Sequence, residues 1–152
     1  MNPGEILLDD HLLLRVLLDD EPIEMRAAGT RIWTTGLWYH RLCRALANPT
    51  VTGVFSRSLG SADPTLGAKA ARAVTELPAT IGLVSLRELA WPMTQMLDEG
   101  VRLNLMSLEA LAAAERLGAE ICLASDDENP QLLVAANLRG VPTRLISWSP
   151  SG

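Results

Sequence analysis

The alternation of apolar and polar positions along the chain divides it into short buried runs and longer amphipathic stretches. Glu5 to Asp9 reads as a strand, because Ile6-Leu7-Leu8 is a continuous apolar run that meets a carboxylate instead of a turn glycine. Asp9 or Asp10 then caps a helix whose apolar positions Leu12, Leu13, Val16 and Leu17 recur at helical spacing and stop before Pro22. An irregular stretch runs to Gly29. Thr34-Thr35 offers an N-cap for a second helix through Leu37, Trp38, Leu42, Ala45 and Leu46, halted by Asn48-Pro49.

Residues 50 to 62 carry glycines and hydroxyl residues and read as a loop, after which Asp63-Pro64 opens a helix over Ala70, Ala73, Val74 and Leu77 that ends at Pro78. Thr80 to Val84 is a second strand. Ser85-Leu86-Arg87-Glu88 has the form of a capping box, and Leu86, Leu89, Ala90, Met93, Met96 and Leu97 make a stripe at 3.6 periodicity, with Pro92 inside it and Gly100 at its end. Ser107 is placed to cap a helix from Leu108 to Leu117, closed by Gly118. Ile121 to Ala124 is a third strand, Pro130 opens a helix that Gly140 closes, and Pro142 to Ile146 forms a last strand.

Strands alternating with helices imply parallel pairing through right-handed crossovers, hence a three-layer α/β/α domain with a mostly parallel central sheet. One domain over residues 1 to 147, with 148 to 152 as a loose tail, accounts for the pattern. Ligands bind such sheets beyond the carboxyl ends of the strands, where Asp9 and the run Asp126-Asp127-Glu128 fall.

Composition narrows the chemistry. The chain has 152 residues, 48% of them hydrophobic, and a formal net charge of -5, so it can bury a sizeable core but lacks a broad basic surface for nucleic acid. Contact with RNA would need a local patch, for which Arg41, Arg44, Arg57 and Arg72 are the candidates. Cys43 and Cys122 are too few for a disulfide framework or zinc cluster and read as buried, reduced thiols. No apolar run approaches the roughly 18 residues that cross a bilayer, and the first residues lack a basic leader, so the expected location is cytoplasmic. His11 and His40 have no partners at ligand or triad spacing.

Carboxylates from separate segments brought together bind Mg²⁺ or Mn²⁺, because hard cations prefer oxygen ligands and their charge relieves the mutual repulsion. Ile6-Leu7-Leu8-Asp9-Asp10, the alanine-rich run Ser107-Leu108-Glu109-Ala110-Leu111-Ala112-Ala113-Ala114 with Leu117-Gly118-Ala119, and Ile121 to Asp127 ending in Ser125-Asp126-Asp127 together resemble the PIN-domain family. That family includes the ribonuclease toxins of bacterial VapBC toxin-antitoxin pairs. The resemblance spans most of the chain, least well over residues 50 to 75. It implies a PIN-like fold and four acids around a metal site. Asp9 takes the first place and Asp127, or Asp126 with a shift of one, takes the last. Arg41 stands where the family has glutamate, and Ser107 stands where it has aspartate. Glu109 lies near Ser107 but is expected to face another side of its helix.

Asp9 and Asp127 are therefore the expected metal ligands, and Asp9, Asp126, Asp127 and Ser107 the expected catalytic set. An arginine among them opposes a dication and can pair with Asp9 or Asp127 instead. The leading expectation is a protein of ribonuclease ancestry whose metal site is impaired, with a binding or regulatory role, as a homodimer or with an antitoxin-like partner. Two rivals are an active Mg²⁺- or Mn²⁺-dependent endoribonuclease, with Asp10 or Ser107 assisting, and a structural interaction module. The module would use the Trp33-Trp38 segment or the 50 to 62 loop. Each acid also has a plain reading: Asp9-Asp10 as a helix cap, and Asp126-Asp127-Glu128 as a solvated loop.

Overall fold

A computed structural model describes residues 4 to 47, 72 to 126 and 129 to 147. Five parallel strands, β1 (Glu5–Leu8), β2 (Arg31–Thr35), β3 (Gly82–Val84), β4 (Glu120–Ala124) and β5 (Thr143–Ile146), form one sheet in the order β3-β2-β1-β4-β5. The helices are α1 (Asp10–Leu17), α2 (Gly36–Ala47), α3 (Leu86–Asp98), α4 (Leu105–Leu117) and α5 (Pro130–Leu138), and residues 72 to 75 are also helical.

The three layers follow from strand side chains alternating in direction. Ile6, Leu8, Ile32, Cys122, Ala124 and Ile146 pack with Leu12, Leu13, Leu17, Leu42 and Val74 on one face, beneath α1, α2 and the helical residues at 72 to 75. Leu7, Val84, Ile121 and Leu123 pack with Leu89, Met93, Met96, Leu108, Leu111, Leu132 and Ala136 on the other, beneath α3, α4 and α5. Both faces being covered, β1 and β4 read as nearly unbroken apolar runs.

The strand β2 is the element the sequence reading does not anticipate. Ile32, Trp33, Thr34 and Thr35 are β-branched or aromatic and suit a pleated surface, but the run is short and its threonines also suit a helix cap. Thr35 serves both ends: it closes β2, and its Oγ1 accepts from the Trp38 amide at 3.2 Å to cap α2. Trp33 lies over the β3 glycine so closely that a Cβ on Gly82 would sit 2.3 Å from the ring, which explains the glycine there.

Other boundaries move by a turn. Asn104, not Ser107, caps α4: its Oδ1 accepts from the Ser107 amide at 2.8 Å, so the helix begins at Leu105 and Ser107 sits in its first turn. Gly118 closes that helix at φ 65°, as expected. Ser85 Oγ accepts from the Arg87 amide and caps α3, but Glu88 pairs with Arg116 at 3.6 Å. Pro92 falls within α3. Cys122 is buried and Cys43 only partly so. The 50 to 62 loop, the Asp63-Pro64 cap and the tail from 148 lie outside the described residues. No described helix is long and apolar enough to cross a membrane.

Candidate functional site: an acidic edge neutralised from within

The chain runs outward from β1 through β2 to β3, then returns to place β4 on the other side of β1. The connections leaving β1 and β4 go to opposite faces, α1 to one and α5 to the other, so a crevice opens where these two strands end. The tips of β1 and β4 lie side by side: the two strands are hydrogen-bonded neighbours, with Leu8 paired to Cys122.

Asp9 leaves β1 at this crevice and is 1% exposed. Its Oδ1 accepts from the Leu12 amide at 2.9 Å, capping α1, and its Oδ2 accepts from the Ala124 amide at 2.9 Å, tying the tip of β4 to that of β1. Burial nonetheless pushes its carboxyl from 3.8 up to about 6, because the two amide bonds and the nearby His11 only partly offset desolvation, and the adjoining Asp10 adds to it. Thr34 Oγ1 donates to the Leu8 carbonyl at 3.0 Å and fixes β2 against the same tip.

Asp10 occupies the first turn of α1, 2% exposed, and is held by a fork from α2: Arg41 Nε donates to Oδ2 at 2.6 Å and Nη2 to Oδ1 at 2.5 Å. A bidentate guanidinium makes two charge-assisted hydrogen bonds to a carboxylate and cancels its charge. The Arg41 side chain is 40% exposed, so it covers Asp10 from the solvent side. The arginine thus meets Asp10, where the sequence suggested Asp9 or Asp127 as its partner. With Arg41 so engaged, the phosphate-contacting patch loses a member; Arg44 and Arg72 are exposed, and Arg57 lies outside the described residues.

Ser107 is 3% exposed, and its Oγ accepts from Asn129 Nδ2 at 2.7 Å. Asn129 in turn caps α5 through Leu132, so Ser107 braces the helix that follows the β4 tip. Asp126 is exposed in the turn after β4; Asp127 lies outside the described residues.

Glu109, expected from sequence to face another side of its helix from Ser107, is a further buried acid at this end of the sheet. It is completely buried, its Oε1 accepts from the Leu37 amide at 2.8 Å at the start of α2, and its Oε2 is buried with no hydrogen-bond partner. A signal for it existed. Ser107 to Ala114 is buried on every side of α4, so a lone carboxylate within that run has to find a donor inside the protein.

Asp9, Asp10 and Glu109 are the buried acids of the described residues, and all three gather at the carboxyl end of the sheet. Their compensation comes from the N-termini of α1 and α2, the Ala124 amide and one guanidinium. A dication needs carboxylate oxygens free to turn toward it. Each oxygen of Asp9 and Asp10 already accepts one hydrogen bond, and the guanidinium beside Asp10 opposes Mg²⁺ or Mn²⁺ at that carboxylate. Among the described residues no three acidic, histidine or cysteine side chains are grouped to hold a metal ion.

No family model matches the chain, and no curated protein matches it. Among solved structures it is similar to VapBC-1 from nontypeable Haemophilus influenzae, at 12% identity and a TM-score of 0.49, over 92% of this chain and 96% of that one. A likeness at that level assigns no residue a role.

Proposed function

We propose that the chain is a PIN-like domain of ribonuclease ancestry whose acidic edge has become a structural element, leaving a binding or regulatory role in the cytoplasm. The observation that carries the reading is the bidentate closure of Asp10 by Arg41, at the position where the resembled family has an acid. Asp9, bonded through both oxygens, and Ser107, accepting from Asn129, support it. Incubation with structured RNA and Mg²⁺ is expected to leave the RNA intact. Cleavage that disappears in Asp9→Asn would overturn the reading.

The rival is an Mg²⁺- or Mn²⁺-dependent endoribonuclease using Asp9, Asp126 and Asp127, and the exposure of Asp126, two residues beyond the Ala124 amide that Asp9 accepts from, favours it. Micromolar Mn²⁺ binding by the native chain, lost in Asp9→Asn, would decide for it.

A partner, whether a second copy or an antitoxin-like protein, does not take hold through Trp38, which is only 3% exposed in the core. The outer flank of α3 is the better surface: Leu86 and Leu97 are 49% and 44% exposed, and with exposed Ala90 they form a strip beside the buried stripe. Leu97→Glu should lower the mass of any self-assembly in light scattering, whereas Trp38→Ala should cost stability instead.

A further inference from the structure

Helix α2 follows β2 without a loop, and its beginning is held at two points by residues from different layers. Glu109, on α4, accepts from the Leu37 amide at 2.8 Å, and Arg41, one turn further on, forks onto Asp10 of α1. Trp38 lies in the core shared with α4, whereas Leu42 lies in the core shared with α1, so the start of the helix is seated in both. Glu109 is fully buried and its Oε2 has no hydrogen-bond partner, which is a cost. What the carboxylate obtains in return is one charge-assisted bond at a helix N-terminus, about twice as strong as a neutral one.

We infer that Glu109 is a positioning residue: its bond to the first turn of α2 fixes where Arg41 stands, and so keeps Asp10 closed from the opposite helical layer. Residues four apart in a helix belong to one hydrogen-bonded turn and share a face, so holding the Leu37 amide holds the root of Arg41. A bidentate fork tolerates little misplacement. Both donors must stay in line with both oxygens, and a shift of α2 by about 1 Å takes at least one of them out of hydrogen-bond range. With the fork broken, Arg41, already 40% exposed, turns to solvent and Asp10 loses its cover. This device is independent of what the edge does, and RNA cleavage by the native chain would overturn the proposed function without touching it.

The test reads the Arg41 side chain directly by NMR in the full, isotope-labelled chain. Its Nε–H, assigned by its absence in Arg41→Lys, should exchange with solvent roughly 100-fold more slowly than that of the exposed Arg87. Glu109→Leu should cut that protection by about tenfold or more, whereas Glu109→Gln, which keeps an acceptor for the Leu37 amide, should retain it within about threefold. Two controls should leave it unchanged: Leu132→Ala, a core loss in α5, and Gly36→Ala, whose Cβ would meet Glu109 Oε2 at an ordinary 3.7 Å. In thermal melts Arg41→Gln should lower Tm by roughly 10 °C in the native chain but by less than roughly 3 °C in the Glu109→Leu chain, where the fork is already lost.

Protection that survives Glu109→Leu, or that falls equally in Glu109→Gln or in Leu132→Ala, overturns the inference and leaves the proposed function standing, as do additive melting shifts. A native Arg41 Nε–H that exchanges as fast as that of Arg87 means an open fork and overturns both. If Glu109→Leu does not fold, Glu109→Asp, which draws the oxygen back by one methylene, is read in its place: lowered protection supports the inference and full protection refutes it.

Discussion

The two ends of the sheet handle charge in opposite ways. Around the loop at the amino end, Arg26 meets Glu21 at 2.9 Å with both side chains about a third exposed, and Arg15 bonds Asp20, whose side chain is 62% exposed. At the carboxyl end, Asp9, Asp10 and Glu109 are at most 2% exposed and face one guanidinium and a set of backbone amides. In the first arrangement each pair has at least one member within reach of water, which can stand in for a lost partner. In the second, each lost partner leaves a charge with nothing in its place, and this makes the carboxyl end both the costly part of the fold and the part whose chemistry can be read.

The largest effect should follow from breaking the Asp10 closure. Arg41→Gln is expected to cost about 3 kcal/mol in urea unfolding, reduced from the full cost of a buried pair because the arginine is partly exposed. A loss under about 1 kcal/mol would place this pair with the surface ones. Asp9→Ala removes a helix cap and the bond to Ala124, and should cost about 2 kcal/mol.

Asp9 also gives the carboxyl end a pH signature. Its folded carboxyl titrates near 6, above its ordinary 3.8, so the folded state binds the proton more tightly than the unfolded one. The stabilisation from protonation is complete below about 4 and is lost as pH rises through 6. In chelator, the native protein should therefore gain on Asp9→Asn by about 2 to 3 kcal/mol between pH 7 and pH 4. A stability difference flat across that window would mean that the amide bonds fully offset burial. The smallest effect belongs to the amino end: Arg26→Ala should cost under about 0.5 kcal/mol, and salt should erase it, while the Arg41 effect persists in salt.

Much of the scaffold was legible because it depends on local rules. Apolar runs of three or four residues marked β1 and β4, Gly118 marked the end of α4, and Pro130 the start of α5. The strand β2 was not legible, since Thr34 and Thr35 fit a pleated edge and a helix cap equally well and only pairing with β1 and β3 selects between them. The serine type at 107 suits a cap, but Asn104, three residues earlier, makes the bond instead.

By itself the sequence determined that Asp9 stands at the tip of a buried strand, that an arginine occurs at position 41, and that the chain alternates strands with helices. Only the tertiary structure decided which acid receives the guanidinium, that Glu109 turns inward to cap α2, and that Ser107 serves Asn129. The reason lies in distance along the chain. Propensity and periodicity act over a few residues, whereas the partner of a buried charge is whatever donor the packing brings within 3 Å, and here both donors come from α2, 31 residues along the chain from Asp10 and 72 from Glu109.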